Sequence, residues 1–250
     1  MIRSVQKRIE KVWAAIALLS VELLVILTFF FAALLAFLWL VRRVFLLEKT
    51  GFDERAFAAL GGYVNPLNNE VMQTFTFLGT HFFLIPANLV LIAWYLFVRK
   101  HRWYSIKVPA IAISSVVLML LLKELFGRAR PLIPLLEEAR GFSFPSGHAF
   151  MSTTFYGLLI FIVWREVRNR ALRWTLIIAL ALLILIIGLS RIYLRVHYTS
   201  DVLAGLCLGL VWLIISITVI RRMEQWSKRS IDPMVEPGTV GTVGDTKTDV

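Results

Sequence analysis

Three short stretches of this 250-residue chain carry residue types that could do chemistry. The last of them, Ser190-Arg191-Ile192-Tyr193-Leu194-Arg195-Val196-His197-Tyr198-Thr199-Ser200-Asp201, sets His197 four residues before Asp201, where one apolar segment ends and another begins. Residues i and i+4 share a helical face, so the spacing predicts that Asp201 accepts the proton on one ring nitrogen of His197. The other nitrogen then keeps a bare lone pair, which suits a nucleophile or a base. Membrane-type sequence seldom carries such groups without a use for them.

The other two stretches supply charge and a helix start. In Lys123-Glu124-Leu125-Phe126-Gly127-Arg128-Ala129-Arg130-Pro131, two cations stand seven residues apart. Two helical turns would put them on one face, about 10 Å apart along the axis. Pro131, with no amide donor, ends or turns that element. In Phe144-Pro145-Ser146-Gly147-His148, Ser146 is a favourable N-cap. The free amides behind it, with the positive end of the helix dipole, form an anion site, and Gly147 lets an anion approach the backbone. Arg191 adds a planar fork matched to phosphate oxygens.

Each stretch alone has a plain structural reading: snorkelling cations, an ordinary helix start, a structural His–Asp hydrogen bond. Together, in order and on one side of the membrane, they describe a phosphate cradle with a nucleophile and an acid.

The elements that position them are membrane spans. Hydrophobic residues make up 58% of the chain and the mean hydropathy is +0.76, well above an ordinary globular domain. Apolar runs near the roughly 20 residues needed to cross a bilayer predict six spans, at about 14–41, 71–98, 108–126, 147–164, 173–189 and 202–220. Without water, the backbone of each must bond within itself, so the spans are helices. The predicted class is therefore all-α, a six-helix transmembrane bundle over 1–226 with a disordered Gly/Thr/Asp-rich tail over 227–250. The first apolar run is too long for a cleavable signal peptide. Cys207 is the one cysteine and excludes an internal disulfide. Most of the 27 Lys and Arg residues fall on the side of the N-terminus, which predicts cytoplasmic termini and the three stretches on the opposite face. The net charge of +11 is mostly these loop cations, so nucleic acid is not an expected partner.

The motifs closely resemble those of the type 2 phosphatidic acid phosphatase superfamily of membrane lipid phosphatases, whose signature is K-x6-R-P, P-S-G-H and S-R-x5-H-x3-D. Lys123 to Arg130-Pro131, Pro145 to His148, and Ser190-Arg191 to His197 to Asp201 meet every spacing. The resemblance implies a six-helix bundle with its site at the outer membrane–water boundary and no metal or other cofactor. It implies that His197 attacks phosphorus and that Asp201 fixes its tautomer. His148 then protonates the leaving oxygen and later activates water. Lys123, Arg130 and Arg191, with amides near Ser146 and Gly147, hold the phosphoryl oxygens. Compact size points to the bacterial members, hence to the inner membrane with the site facing the periplasm or exterior. Phosphatidic acid, phosphatidylglycerol phosphate and undecaprenyl diphosphate all fit as substrates, and no obligate protein partner is implied. A lipid phosphotransferase with the same site, or a non-hydrolysing anion or lipid transporter, are the competing readings.

Other residues carry weaker signals. Phe52, Ala56, Phe57 and Leu60 form an apolar stripe between the first two spans, suited to a short helix lying flat in the interface. Glu124 is expected to point away from the site or to pair with Arg128, and Glu137 and Glu138 to form a solvated loop face. His81 and Pro86 read as a packed polar residue and a kink. Glu22 reads as facing another helix or the cytoplasmic boundary. Tyr193, Arg195 and Tyr198 could touch substrate, with interfacial anchoring the alternative for the two aromatics.

Overall fold

The computed structural model describes residues 2–99, 102–135 and 141–230, and among these no strand forms. Helix α1 (Ile2–Val41) widens into a π-helical segment, Arg42–Leu46, and a short helix α2 (Gly51–Gly61) follows it. The chain continues as α3 (Pro66–Phe77), α4 (His81–Ala93) with a π-helical extension Trp94–Val98, and α5 (Arg102–Phe126). The last three are α6 (Gly147–Glu166), α7 (Arg170–Tyr193) and α8 (Thr199–Ser230). Six helical stretches are long and apolar enough to span a bilayer, with α3 and α4 together making the second. The protein is an integral membrane helix bundle. The last helix passes the predicted boundary at 226; residues 231–250, and with them most of the predicted tail, lie outside the described residues, as do Glu137 and Glu138.

The second span breaks where the sequence did not announce it. Pro86 sits inside α4 without ending it. The interruption falls at 78–80, where the Gly79 amide bonds the Thr76 carbonyl and the Thr80 hydroxyl folds back to the Phe77 carbonyl at 2.7 Å. A side chain at Gly79 would sit 2.7 Å from Ile187 Cγ2 and 3.2 Å from His148 Cδ2, so close packing requires glycine there. His81, read as packed, is exposed at the start of α4 with its ring against Phe82.

Helix α6 is the central element, packed against α5, α7 and α8. Its contact with α8 runs through Gly205-Leu206-Cys207-Leu208-Gly209, a pair of small residues four apart that lets two backbones touch. A Cβ at Gly205 would lie 2.6 Å from the Ser146 carbonyl oxygen, and one at Gly209 would lie 2.9 Å from that of Phe150. Four rings, Phe37, Phe45, Phe126 and Phe144, pack edge-on or stacked where α1, α5 and the segment before α6 meet. Aromatic contacts of this kind add about 0.5–1.5 kcal/mol each beyond area burial, and they fix the approach to Pro145. At the opposite end, Tyr95 donates to Glu166 at 2.7 Å and Lys107 pairs with Glu224 at 2.6 Å.

The stripe on α2 faces protein rather than lipid. Ala56, Phe57 and Leu60 pack on Ala149, Ile192 and Val202 at the starts of α6 and α8 and the end of α7. Asp53, on the same helix, is only 2% exposed.

Candidate active site

Helix α5 stops earlier than the spacing of Lys123 and Arg130 suggests. Gly127 takes a positive φ of 56° and its amide bonds the Lys123 carbonyl at 3.0 Å, the single-bond left-handed helix cap. Pro131 therefore does not end the helix. Lys123 stays in its last turn and Arg130 lies in the loop, so the two do not share a helical face. The fold still brings them to one place. Lys123 Nζ donates to the Phe142 carbonyl at 3.1 Å, while Arg130 donates to the carbonyls of Gly141 (2.9 Å) and Val196 (2.7 Å). Arg130 Nη1 also lies 3.3 Å from His197 Nε2.

His197 does not stand on a helix. It lies in the bend between α7 and α8, where the amides of Val196 and His197 both reach the Arg191 carbonyl and Arg195 takes a φ of 54°. Asp201 occupies the first turn of α8, and its carboxylate accepts the Tyr198 amide at 3.0 Å, as the third residue of a capping box does. The expected pairing of i and i+4 forms without a helical face: His197 Nδ1 is 3.6 Å from Asp201 Oδ2. Ser143 Oγ bridges the gap, 3.3 Å from Nδ1 and donating to Oδ2. His197 is 1% exposed. Burial pushes its imidazole down to about 4, against the pull of Asp201, so the ring is neutral at pH 7.

The start of α6 meets the same point. Ser146 sits at the N-cap position but makes no side-chain cap bond. Its amide, expected to face an anion, instead donates to the Asp201 carbonyl at 3.0 Å, and its buried hydroxyl has no partner. Gly147 passes beneath the Lys123 stem. His148 follows, and its buried Nε2 also has no partner. Arg191, 5% exposed, gives one nitrogen to the Thr76 hydroxyl at 2.8 Å and leaves Nε unpaired. Arg191, His197, Lys123 and Arg130 all lie near enough to His148 to act on it electrostatically, and His197 in turn adjoins Arg130 and Asp201, so the three stretches meet at one place. Three buried polar atoms without partners, Ser146 Oγ, His148 Nε2 and Arg191 Nε, lie where Lys123 and Arg130 add charge, an arrangement that an anion would complete.

Several partners were not legible. Ser143 lies just upstream of the Pro-Ser-Gly-His run, and Thr76 lies on a different span. Glu124 is exposed, as expected, yet Arg128 pairs with Asp53 and Asp201 rather than with it. Tyr193 is buried, with its hydroxyl on the Tyr63 carbonyl and Asn69, so it is neither an anchor nor exposed to the site. Tyr198 stacks beneath Arg128, 4.1 Å from ring centroid to guanidinium.

From Gly147 and His148, an apolar cavity of about 630 Å³ runs between α4, α5 and α6. Leu84, Ile85, Ile111, Val116, Met151 and Phe155 are among its walls.

Comparison with known proteins agrees with this geometry. The family model for the PAP2 superfamily matches residues 104–224. Phosphatidylglycerophosphatase B of Bacillus subtilis (strain 168) is 33% identical over 148 residues, which cover 58% of this chain and 72% of that protein. Undecaprenyl-diphosphatase BcrC of the same organism is 29% identical over 153 residues, covering 58% and 72%. The crystal structure of a transmembrane PAP2-type phosphatidylglycerolphosphate phosphatase from Bacillus subtilis superposes with a TM-score of 0.70 at 27% identity, over 80% of this chain and 98% of that one. With its bundle, its motifs and its relatives in agreement, the chain belongs to the PAP2 superfamily and is a membrane lipid phosphatase.

Proposed function

We propose that the protein dephosphorylates a membrane lipid phosphate or diphosphate through a phosphohistidine intermediate, without a metal ion. The observation that carries this reading is the set of buried, unpaired polar atoms, His148 Nε2, Ser146 Oγ and Arg191 Nε, gathered beside Lys123 and Arg130. A phosphoryl group supplies the missing acceptors. Its three equatorial oxygens meet Arg191, Arg130, Lys123, the Ser146 hydroxyl and amides at the start of α6 from Gly147 onward. Charge stabilisation and positioning then supply most of the catalysis, as phosphoryl transfer requires.

In the first step, His197 Nε2 attacks phosphorus, and the bond to the leaving oxygen breaks as His148 gives it a proton. Asp201, through Ser143, holds Nδ1 and balances the charge that develops on the ring. In the second step, water attacks phosphorus, His148 takes its proton, and the phosphorus–nitrogen bond breaks to release phosphate and free His197.

The apolar cavity beside His148 suits the chain of an amphiphile whose phosphate enters the cradle. Phosphatidic acid, phosphatidylglycerol phosphate and undecaprenyl diphosphate are the candidate substrates, the last two in keeping with the relatives' names. The distribution of Lys and Arg supports cytoplasmic termini in a bacterial inner membrane, with the site facing outward. A transporter would be expected to pair its broken helices. The interruption at Gly79 has no matching partner among the described residues and packs on His148, which favours hydrolysis.

The test is phosphate release by the purified protein from those three lipids with excess chelator present. Turnover of at least one is expected. His197→Ala should release none and His148→Ala very little. Brief exposure to substrate labelled in the phosphoryl group should leave an acid-labile, base-stable label on wild-type protein alone. Turnover by His197→Ala at the wild-type rate would end the nucleophile assignment.

A further inference from the structure

Asp201 is gripped on its far side by groups that the three signatures leave unspecified: Arg128 and Ser200 at their variable positions, and Asp53 outside them. Arg128 Nη1 donates to Asp201 Oδ1 and, at 2.8 Å, to the Ser200 hydroxyl. Arg128 Nη2 reaches Asp53 Oδ2 at 3.1 Å. Asp53 in turn accepts the Ser200 amide on Oδ1 and the Ser200 hydroxyl on Oδ2, both at 2.8 Å. Asp53 and Asp201 are 2% and 0% exposed. The result is a row of alternating charge, Asp53, Arg128, Asp201, leading through Ser143 to His197. Its first member comes from α2, outside the region the family model matches.

We propose that Asp53 and Arg128 are positioning residues for the reaction, Arg128 aiming the Asp201 carboxylate and Asp53 neutralising Arg128 so that Asp201 keeps its charge for His197. This rests on the assignment of His197 as nucleophile. A half-buried arginine next to Asp201 competes with the imidazolium that forms during phosphoryl transfer, because both draw on one carboxylate. In a low-dielectric site that competition is strong. A second carboxylate on the arginine's opposite edge relieves it. The fork of Arg128, with one nitrogen on each of the two carboxylates and the guanidinium stacked on Tyr198, also fixes where Asp201 points. The row gives α2 a task that its apolar stripe alone does not explain.

The charges that face His197 come from every neighbouring element: Asp201 on α8, Arg130 in the loop after α5, Arg191 on α7 and His148 on α6. None of these changes in the variants below, and the substrate is common to all. Removing the Arg128 charge leaves two uncompensated carboxylates, favours imidazolium, and moves the acid limb of kcat/KM to higher pH. Removing the Asp53 charge leaves Arg128 uncompensated, disfavours imidazolium, and moves the same limb to lower pH.

The experiment compares wild type, Asp53→Asn, Arg128→Gln and the double variant as full-length protein in detergent, on whichever lipid of the panel wild type turns over fastest. Each single change should lower kcat about 10- to 100-fold, the scale of one unpaired buried group, with KM little changed. The acid limbs should move in opposite directions. The double variant, again neutral as a pair, should recover roughly tenfold over the weaker single variant and return the limb to near the wild-type position. Limbs that move together, limbs that stay put, or losses that simply multiply would overturn the proposal. If a single variant does not fold, Ser200→Ala carries the test: it removes the hydroxyl's bonds to Arg128 and Asp53 without changing charge, so kcat should fall while the limb stays, and a displaced limb counts against the network. His197→Ala run alongside separates the two claims, since residual turnover there faults the nucleophile, and an inactive His197→Ala with no opposed shifts faults the positioning pair alone.

Discussion

The main chain of Ser146 is bonded to the main chain of Asp201: the amide of the first donates to the carbonyl of the second over 3.0 Å. The proposed phosphate-binding start of α6 and the start of α8, next to the proposed nucleophile His197, are therefore one unit. Gly205, one turn along α8, lets the Ser146 carbonyl approach within a space no side chain could share. Gly205→Ala is expected to lower unfolding stability by about 1–3 kcal/mol, the cost of overpacking a filled interface, and to reduce kcat as well because both halves of the site shift. Thermal unfolding in detergent beside steady-state kinetics checks this. A full-activity variant of wild-type stability would contradict the tight contact.

Ser143 stands between His197 and Asp201, touching both. In Ser143→Ala a buried carboxylate oxygen loses a donor and the ring loses its link. The expected loss in kcat is about 5- to 100-fold, from about 1–3 kcal/mol for a buried group left unpaired. KM should hold, since the Ser143 hydroxyl is engaged by His197 and Asp201. Kinetics on one lipid phosphate suffices, and an unchanged kcat would mean that Asp201 reaches His197 unaided.

The lowered pKa of His197 makes stability depend on pH. The ring titrates near 4 when folded and near 6.5 when unfolded. Between those values the unfolded chain binds more protons, so stability rises with pH through that window and is lost as pH falls from about 6.5 to about 4. His197→Asn removes this titration. The gap in unfolding temperature between wild type and variant should therefore move in the variant's favour as pH drops, and a gap independent of pH would contradict a neutral buried ring.

Arg191 is held by a neutral hydroxyl, Thr76, and keeps one nitrogen unpaired. Arg191→Lys preserves charge but loses the fork, and is expected to lower kcat/KM about 100- to 1,000-fold, as for loss of one preorganised transition-state donor. Vanadate, which adopts the five-coordinate geometry, should inhibit this variant much more weakly than wild type. Equal inhibition would remove Arg191 from the cradle.

Spans and motifs could be read from the chain alone because both depend on local order: hydropathy over about 20 residues fixes a helix in lipid, and Lys123 to Arg130, Ser146 to His148 and Arg191 to Asp201 are short runs. Gly205 and Gly209 are also near neighbours in sequence, but only the packing of α6 on α8 shows why they must be glycine. Tertiary structure decided what spacing misjudged. Arg130 left the helix because Gly127 ended it, and His197 fell in a bend before α8, so their relations to Lys123 and Asp201 are made by loops rather than by a helical face. Ser143, Thr76, Asp53 and Arg128 took their places through contacts between distant segments. Asp53 meets Ser200 across 147 positions of chain, and no local periodicity encodes such a meeting. A buried charge takes whichever partner the packed helices deliver, and packing is a property of the whole bundle.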